Sequence, residues 1–324
     1  MNILITGGCG FVGFSLANKL LKSKKFRIYG IDNVNSYYSK KLKFKRLDIL
    51  KKNKNFFFYR KDINAYTYIL NKYKKVKFDI IYHFAAQAGV RYTVIDPNSY
   101  LHSNVNAFKN FCKFEKFKKP KKFIFASSSS VYGDLKIYPV RETNRLKPKN
   151  LYAKTKKFNE EYVKNYFKKT KIKCIGLRLF TIYGEWGRPD MLIFKYIKSN
   201  LDKKNFSLNS NGQHYRDFTY INDVSSIVEN LLYLKIKKSY EIFNICSNKP
   251  IKILDVIKKI NKWNNTFKFK AKSSKILNKI EVTKTHGDNR RVLKLLKKFK
   301  YTNFDKALYN TIKWYFDKNI NKIT

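Results

Sequence analysis

The sequence predicts an α/β fold: a doubly wound parallel sheet with helices on both faces, joined to a smaller mixed α/β cap. Three observations carry this reading. Strand-like and helix-like segments alternate from Met1 to Phe180. The chain opens on a strand, a glycine turn and a helix, the start of a Rossmann-like unit. Beyond Phe180 the alternation breaks down, except between Asn222 and Ile245. Residues 1–180 with 222–245 are therefore expected to form a Rossmann domain, and 181–221 with 246–324 a substrate-binding cap.

Taken in order, Asn2–Thr6 is a short apolar strand. Gly7-Gly8-Cys9-Gly10-Phe11-Val12-Gly13 follows, and Phe14 to Lys22 has the pattern of an amphipathic helix. Gly7 and Gly10 let backbone N–H groups approach a pyrophosphate at the helix N-terminus, while Gly13 allows close packing of helix on strand. A second strand, Phe26 to Ile31, ends at Asp32, 19 residues after Gly13. A carboxylate there accepts hydrogen bonds from an adenosine ribose and repels a 2′-phosphate, so NAD is expected over NADP. Phe56 to Tyr59 is the next strand, with Asp62 and Ile63 placed to meet the adenine edge. Asp79 to Ala85 leads into Ala86-Gln87-Ala88-Gly89-Val90-Arg91, and Lys122 to Ala126 into the serines Ser127 to Ser130. Helices are expected over Asn98 to Glu115 and Tyr152 to Lys168, a loop around Gly133, Pro139 and Pro148, and a strand over Ile172 to Leu179. The predicted cofactor set is Gly7, Gly10, Phe11, Val12, Gly13, Asp32, Asn33, Asp62, Ile63, Ala85 and Ala86, with Tyr152 and Lys156.

Tyr152 and Lys156 lie four residues apart, and Tyr152 lies 24 residues after Ser128. On a helix the pair shares one face. An ammonium beside a phenol favours the phenolate, and a serine hydroxyl can share the moving proton. Tyr-x-x-x-Lys is common by chance in a chain with 24 tyrosines and 71 lysines and arginines, so its weight comes from the glycine motif in register with it.

Length and composition bound the remaining classes. At 324 residues the chain can bury a large core. A start directly on a strand suggests no signal peptide, and no apolar run of about 20 residues offers a membrane span. Cys9, Cys112, Cys174 and Cys246 are scattered without a C-x-x-C pair, as expected of reduced thiols in the cytoplasm. The four histidines show no metal-ligand spacing, and His83, in an apolar strand, reads as a core residue. The formal charge of +49 invites a nucleic-acid reading. The lysines, however, are spread over nearly every helix and loop alongside abundant Asn, Ile, Phe and Tyr. That joint enrichment fits compositional drift, and the Lys116 to Lys122 and Lys294 to Lys300 runs read as solvated faces. No dedicated nucleic-acid partner is expected.

Four further stretches narrow the reading: Ala85 to Tyr92 (AAQAGVRY), Arg178 to Gly184 (RLFTIYG), Trp186 to Met191 (WGRPDM) and Arg216 to Val224 (RDFTYINDV). With these the chain resembles an extended short-chain dehydrogenase/reductase of the nucleotide-sugar epimerase and dehydratase group, most closely the UDP-glucuronate 4-epimerases, from Met1 to about Tyr315. The resemblance implies an isomerase that binds NAD and a UDP-sugar. It implies Tyr152 as the base at the sugar 4-hydroxyl, Lys156 holding the nicotinamide ribose and depressing the Tyr152 pKa, and Ser128 sharing the proton. It further implies a 4-keto intermediate that turns over before reduction on its other face, and Arg216 on the diphosphate.

Related chemistries on this scaffold differ just before Val131-Tyr132-Gly133. The 4,6-dehydratases carry an Asp-Glu pair there and the decarboxylases a glutamate, whereas this chain has Ser129 and Ser130. Those hydroxyls, with Ser128 and Thr181, suit a uronate carboxylate and would hold it out of the alignment for β-decarboxylation. Arg188 suits either the carboxylate or a phosphate, and Arg91 completes the substrate-binding set with Ser130 and Arg216. A neutral or N-acetylated UDP-sugar is the alternative substrate. One departure stands out: Asn278-Lys279-Ile280-Glu281-Val282 replaces the Gly-Asp pair, and the arginine three residues before its Asp, found in many epimerases. A homodimer is expected through the two long helices, with Phe108, Phe111 and Tyr162 on their outward faces, and supply of polysaccharide precursors is the implied pathway.

Overall fold

The computed structural model describes residues 1–114, 119–263, 280–296, 298–318 and 320–323. The predicted helix end at Glu115, parts of both lysine runs, and Asn278 and Lys279 lie outside the described residues. Seven strands form one parallel sheet: β1 (Asn2–Thr6), β2 (Arg27–Asp32), β3 (Phe56–Arg60), β4 (Ile80–His83), β5 (Lys122–Ser128), β6 (Lys173–Leu179) and, later in the chain, β9 (Tyr240–Ile245). Their spatial order is β3-β2-β1-β4-β5-β6-β9. The order reverses between β1 and β4, so a crevice opens there at the carboxyl ends of the strands. A second sheet holds β7 (Thr181–Tyr183), β8 (Tyr215–Tyr220) and β10 (Pro250–Lys252), with β8 parallel to β7 and antiparallel to β10.

Period-2 alternation sends side chains to both faces of the main sheet. Ile3 and Ile5 join a core with Phe14, Leu16, Val224 and Val228, beneath the helices Phe11–Leu20 and Ile221–Asn230. Leu4 joins a second core with Tyr29, Phe123, Phe125 and Val163 on the opposite face. The second long helical segment runs as Pro97–Tyr100, a π-helical stretch Leu101–Asn106 and Ala107–Cys112. Two expectations need correction here. Phe108 and Phe111 do not face outward: they are 2% and 1% exposed and pack on His83, because this segment turns its aromatic stripe onto the sheet. Helices Lys40–Lys51 and Tyr66–Lys72 were not anticipated, since their lysines and tyrosines blur the apolar period. Among the described residues no helix is long and apolar enough to cross a membrane.

Candidate active site

The crevice is a cavity of about 500 Å³ over the carboxyl ends of the central strands. It is lined by every residue predicted for the cofactor, the substrate and the chemistry.

Its cofactor end is largely backbone. Gly7 has φ +71°, a conformation that L side chains rarely adopt. A Cβ on Gly13 would stand 2.1 Å from the Gly7 carbonyl oxygen, so the helix enters this close to the loop only because Gly13 has no side chain. Asp32, at the end of β2, accepts from the Cys9 N–H at 3.0 Å and from the Val34 N–H at 2.8 Å. Its carboxylate thus fixes the glycine loop from below while lining the cavity. Asn33 donates to Asp62 at 2.8 Å, which ties the ends of β2 and β3, and Ile63 is buried beside them. The Ala85 N–H donates to Thr6 Oγ1 (3.1 Å), which also meets His83 Nδ1 at 3.1 Å. His83 is indeed a core residue, but its Nε2 is buried without a partner, and burial lowers its pKa to about 3. A glycine cradle that a single Cβ would fill, with a buried carboxylate at the second strand end, fits a dinucleotide whose ribose carries free hydroxyls.

The residues expected to move the proton meet where β5 ends. Asn150 caps the helix Leu151–Tyr166 by accepting from the Ala153 N–H at 2.8 Å, which fixes the register of Tyr152 and Lys156. Ser128 ends β5, and its Oγ accepts from the Ser130 N–H at 3.2 Å. Lys156 donates to the Ala126 carbonyl at 2.9 Å, and its Nζ lies 5.9 Å from the Tyr152 ring centroid. The expected depression of the Tyr152 pKa by Lys156 is not what the structure gives. Burial raises Tyr152, opposed by its hydrogen bond with Ser128 and then by the Arg188 charge. Burial also lowers Lys156 to about 8, so its ammonium is itself weakened. Behind this wall Ser127 donates to Glu160, whose carboxylate takes a bidentate pair from Arg178 at 2.9 and 2.7 Å. That buried fork holds the helix against β5 and β6.

The far end is made of charged side chains. Arg188 donates through Nε and Nη2 to Asp190 (3.0 and 2.6 Å) and through Nη2 to the Tyr37 hydroxyl (3.0 Å). Burial opposes ionisation of Asp190, but Arg188 and the Tyr37 hydroxyl outweigh it and hold the carboxyl below its usual value. Arg91 donates to Glu281 Oε1 at 2.6 Å, and Arg216 Nη2 lies 3.8 Å from Glu281 Oε2. Arg216 also donates to the Tyr215 and Thr283 carbonyls. Two of the three arginines predicted for the substrate, Arg91 and Arg216, thus share one carboxylate, at the position where the sequence departs from related epimerases. Ser129, Ser130 and Thr181 line the cavity between these arginines and Tyr152. Sequence reasoning missed Tyr37, Lys43, Asp190, Lys195, Phe206 and Leu208, which also line it. Only Asp190, beside Arg188 in the quoted motif, left a readable sign. The four cysteines are buried and none forms a disulfide, and no cluster of three or more His, Cys, Asp or Glu among the described residues could hold a metal.

Comparison with known proteins agrees with this geometry. Residues 3–246 match the model of the NAD dependent epimerase/dehydratase family. An uncharacterized protein of Methanocaldococcus jannaschii is 39% identical over 98% of this chain and 96% of its own. UDP-glucuronate 4-epimerase 4 of Arabidopsis thaliana is 33% identical over 97% of this chain and 75% of its own. The crystal structure of a Bacillus cereus UDP-glucuronic acid 4-epimerase, in complex with UDP-glucuronic acid and NAD, superposes with a TM-score of 0.90 at 30% identity, covering 98% of this chain and 100% of that one. With a family match over most of its length and relatives of this identity along nearly all of it, the chain belongs to the NAD-dependent epimerase/dehydratase family.

Proposed function

We propose that this enzyme interconverts UDP-glucuronate and UDP-galacturonate through a 4-keto intermediate. The observation that carries the substrate choice is the wall beside Tyr152. Ser128, Ser129, Ser130 and Thr181 line it with hydroxyls, and Ser129 and Ser130 stand where related dehydratases and decarboxylases carry carboxylates. Hydroxyl donors suit a uronate carboxylate and would hold it out of the alignment for β-decarboxylation.

NAD held on the glycine loop supplies the redox couple that oxidises and re-reduces C4. Tyr152 takes the proton from the sugar O4 and returns it after the sugar has turned, with Ser128 sharing it through their hydrogen bond. Lys156 stands on the next turn of the same helix, placed to hold the nicotinamide ribose. Arg91 and Arg216 bind the diphosphate, with Glu281 offsetting one of their two positive charges. Phe206, Leu208 and Lys195 line the end expected to receive the uridine. Residues 1–180 with 222–245 carry the cofactor in this reading, and 181–221 with 246–324 form the cap over the sugar nucleotide. The enzyme works in the cytoplasm as a homodimer through the outer faces of the helices around Leu101 and Tyr162, the former 45% exposed. Light scattering should show a dimer that strengthens with salt, since a charge of +49 opposes association at low ionic strength.

The test of substrate choice is a side-by-side assay of UDP-glucuronate and UDP-glucose with chromatographic resolution of the products. UDP-galacturonate should form at least about tenfold more efficiently than UDP-galactose. Equal turnover of both would overturn the carboxylate assignment.

A further inference from the structure

Arg46, on the helix Lys40–Lys51, is fully buried, and no carboxylate lies within salt-bridge distance of it among the described residues. A buried cation without a paired anion is costly unless its donors are satisfied, and both Arg46 Nη groups find partners while its Nε does not. Three of its partners are carbonyls, and they belong to two segments remote in sequence. Nη1 donates to the Cys9 carbonyl in the glycine loop at 2.9 Å and to the Tyr38 hydroxyl at 2.7 Å. Nη2 donates to the carbonyls of Trp186 and Gly187, the residues that immediately precede Arg188.

That second segment would not take this shape unaided. Trp186 has φ +61°, a left-handed conformation unfavourable for a bulky residue. The Gly187 N–H closes the turn on the Gly184 carbonyl at 3.1 Å. The Trp186 indole is wedged between Phe14, on the helix that follows the glycine loop, and Trp314, with ring centroids 5.4 and 5.1 Å away. The turn that delivers Arg188 to the cavity is therefore held by its carbonyls through Arg46 and by its indole through Phe14. Both supports lead back to the cofactor end.

We propose that Arg46 is a positioning residue that ties the glycine loop to the Trp186–Arg188 turn, so that one guanidinium sets the cofactor end and the sugar end of the cavity relative to each other. The inference rests on the reading of Arg188 as a sugar-facing residue. Lysine cannot substitute, because a single ammonium does not span both carbonyl groups with a planar fork.

The test is a double-mutant cycle in the purified holoenzyme with Arg46→Lys, Arg188→Lys and the pair, scored by NAD content per chain and by KM and kcat. In Arg46→Lys, NAD content should fall to about half or less and KM for UDP-glucuronate rise about tenfold, with kcat within about threefold. The double variant should raise KM by clearly less than the product of the single effects, because Arg46 acts through the turn that carries Arg188. A folded Arg46→Lys protein with NAD content and KM within about twofold of wild type would overturn the proposal. So would single effects that simply multiply, the result expected of a strut that only lowers Tm. If Arg46→Lys is insoluble, Tyr38→Phe removes one guanidinium partner and keeps the charge. It should move KM in the same direction by about threefold, and no shift would sink the idea. Should wild type use UDP-glucose as readily as UDP-glucuronate, the uronate reading fails, yet NAD content and the cycle run on UDP-glucose still decide the role of Arg46.

Discussion

At the cofactor end of the cavity the walls are main chain: Gly7, Gly10 and Gly13, with Asp32 hydrogen-bonded to backbone N–H groups two residues onward and in the adjacent loop. At the proposed sugar-nucleotide end they are charged side chains held by carboxylates, Arg188 by Asp190, and Arg91 and Arg216 together by Glu281. The first end works by absence of side chains, so any added atom collides. The second works by balance, so a lost partner shifts charge and reach without closing the space. Substitutions should therefore act as on–off switches at the first end and as graded changes at the second.

The largest effect is expected at the glycine loop. Gly13→Val puts a branched side chain where a Cβ already meets the Gly7 carbonyl at 2.1 Å, and the purified protein should carry no NAD(H) on denaturing release. Gly10→Val should do the same by filling space the pyrophosphate needs. Recovery of NADP alone from the wild type would instead break the Asp32 argument.

Between the two ends, Tyr152→Phe should lower turnover by about 10²–10⁴-fold while NAD content stays near wild type, because only the proton acceptor is removed. The titration of the pair sharpens this. Burial lifts Tyr152 above its ordinary value of 10.0 and lowers Lys156 to about 8. As pH rises the first proton therefore leaves Lys156. The reactive form, phenolate beside ammonium, is a proton tautomer of that singly deprotonated pair. kcat/KM should climb up to about pH 8 and then level, and Lys156→Met should push the rise toward the Tyr152 titration. A profile flat from pH 6 to 8 would contradict the order of proton loss.

Graded effects belong to the sugar end. Ser129→Ala or Thr181→Val should raise KM for UDP-glucuronate by about tenfold at little cost to NAD content. Either should also release some UDP-pentose, as a loosened carboxylate reaches the alignment for decarboxylation. Product chromatography shows this directly, and an unchanged KM would remove these hydroxyls from the carboxylate site.

The smallest functional effect is expected at Asp217, beside Arg216 but not itself lining the cavity. Burial pushes its carboxyl up to about 6, so at neutral pH it is ionised. It accepts from the N–H groups of Ser247, Asn248 and Gly287 and from the Ser247 hydroxyl. Asp217→Asn turns an amide against those donors and should cost about 2 kcal/mol in unfolding experiments, with KM little changed.

The same contrast explains how much could be read beforehand. The glycine loop, Asp32 and the Tyr152–Lys156 pair depend on spacings along a few residues of strand, turn and helix, and such spacings survive translation from sequence to space. Glu281 meets Arg91 across 190 residues and Tyr37 meets Asp190 across 153, and no local pattern announces either contact. Phe108 and Phe111 show the same limit. Their apolar character was plain, but which side of the helix meets the sheet is a matter of packing, and they lie inside.

By itself, then, the sequence determined the strand–glycine–helix unit, the carboxylate of Asp32 at the second strand end, and the shared helix face of Tyr152 and Lys156, since each follows from backbone geometry within one or two elements. Tertiary structure alone decided the charge state around them. Burial raised Tyr152 and lowered Lys156, Glu281 was set between Arg91 and Arg216, and the Arg46 guanidinium was closed into the core between Cys9 and Trp186. The reason is physical: desolvation and Coulomb interaction depend on distance through the folded interior, which residue spacing along the chain does not encode.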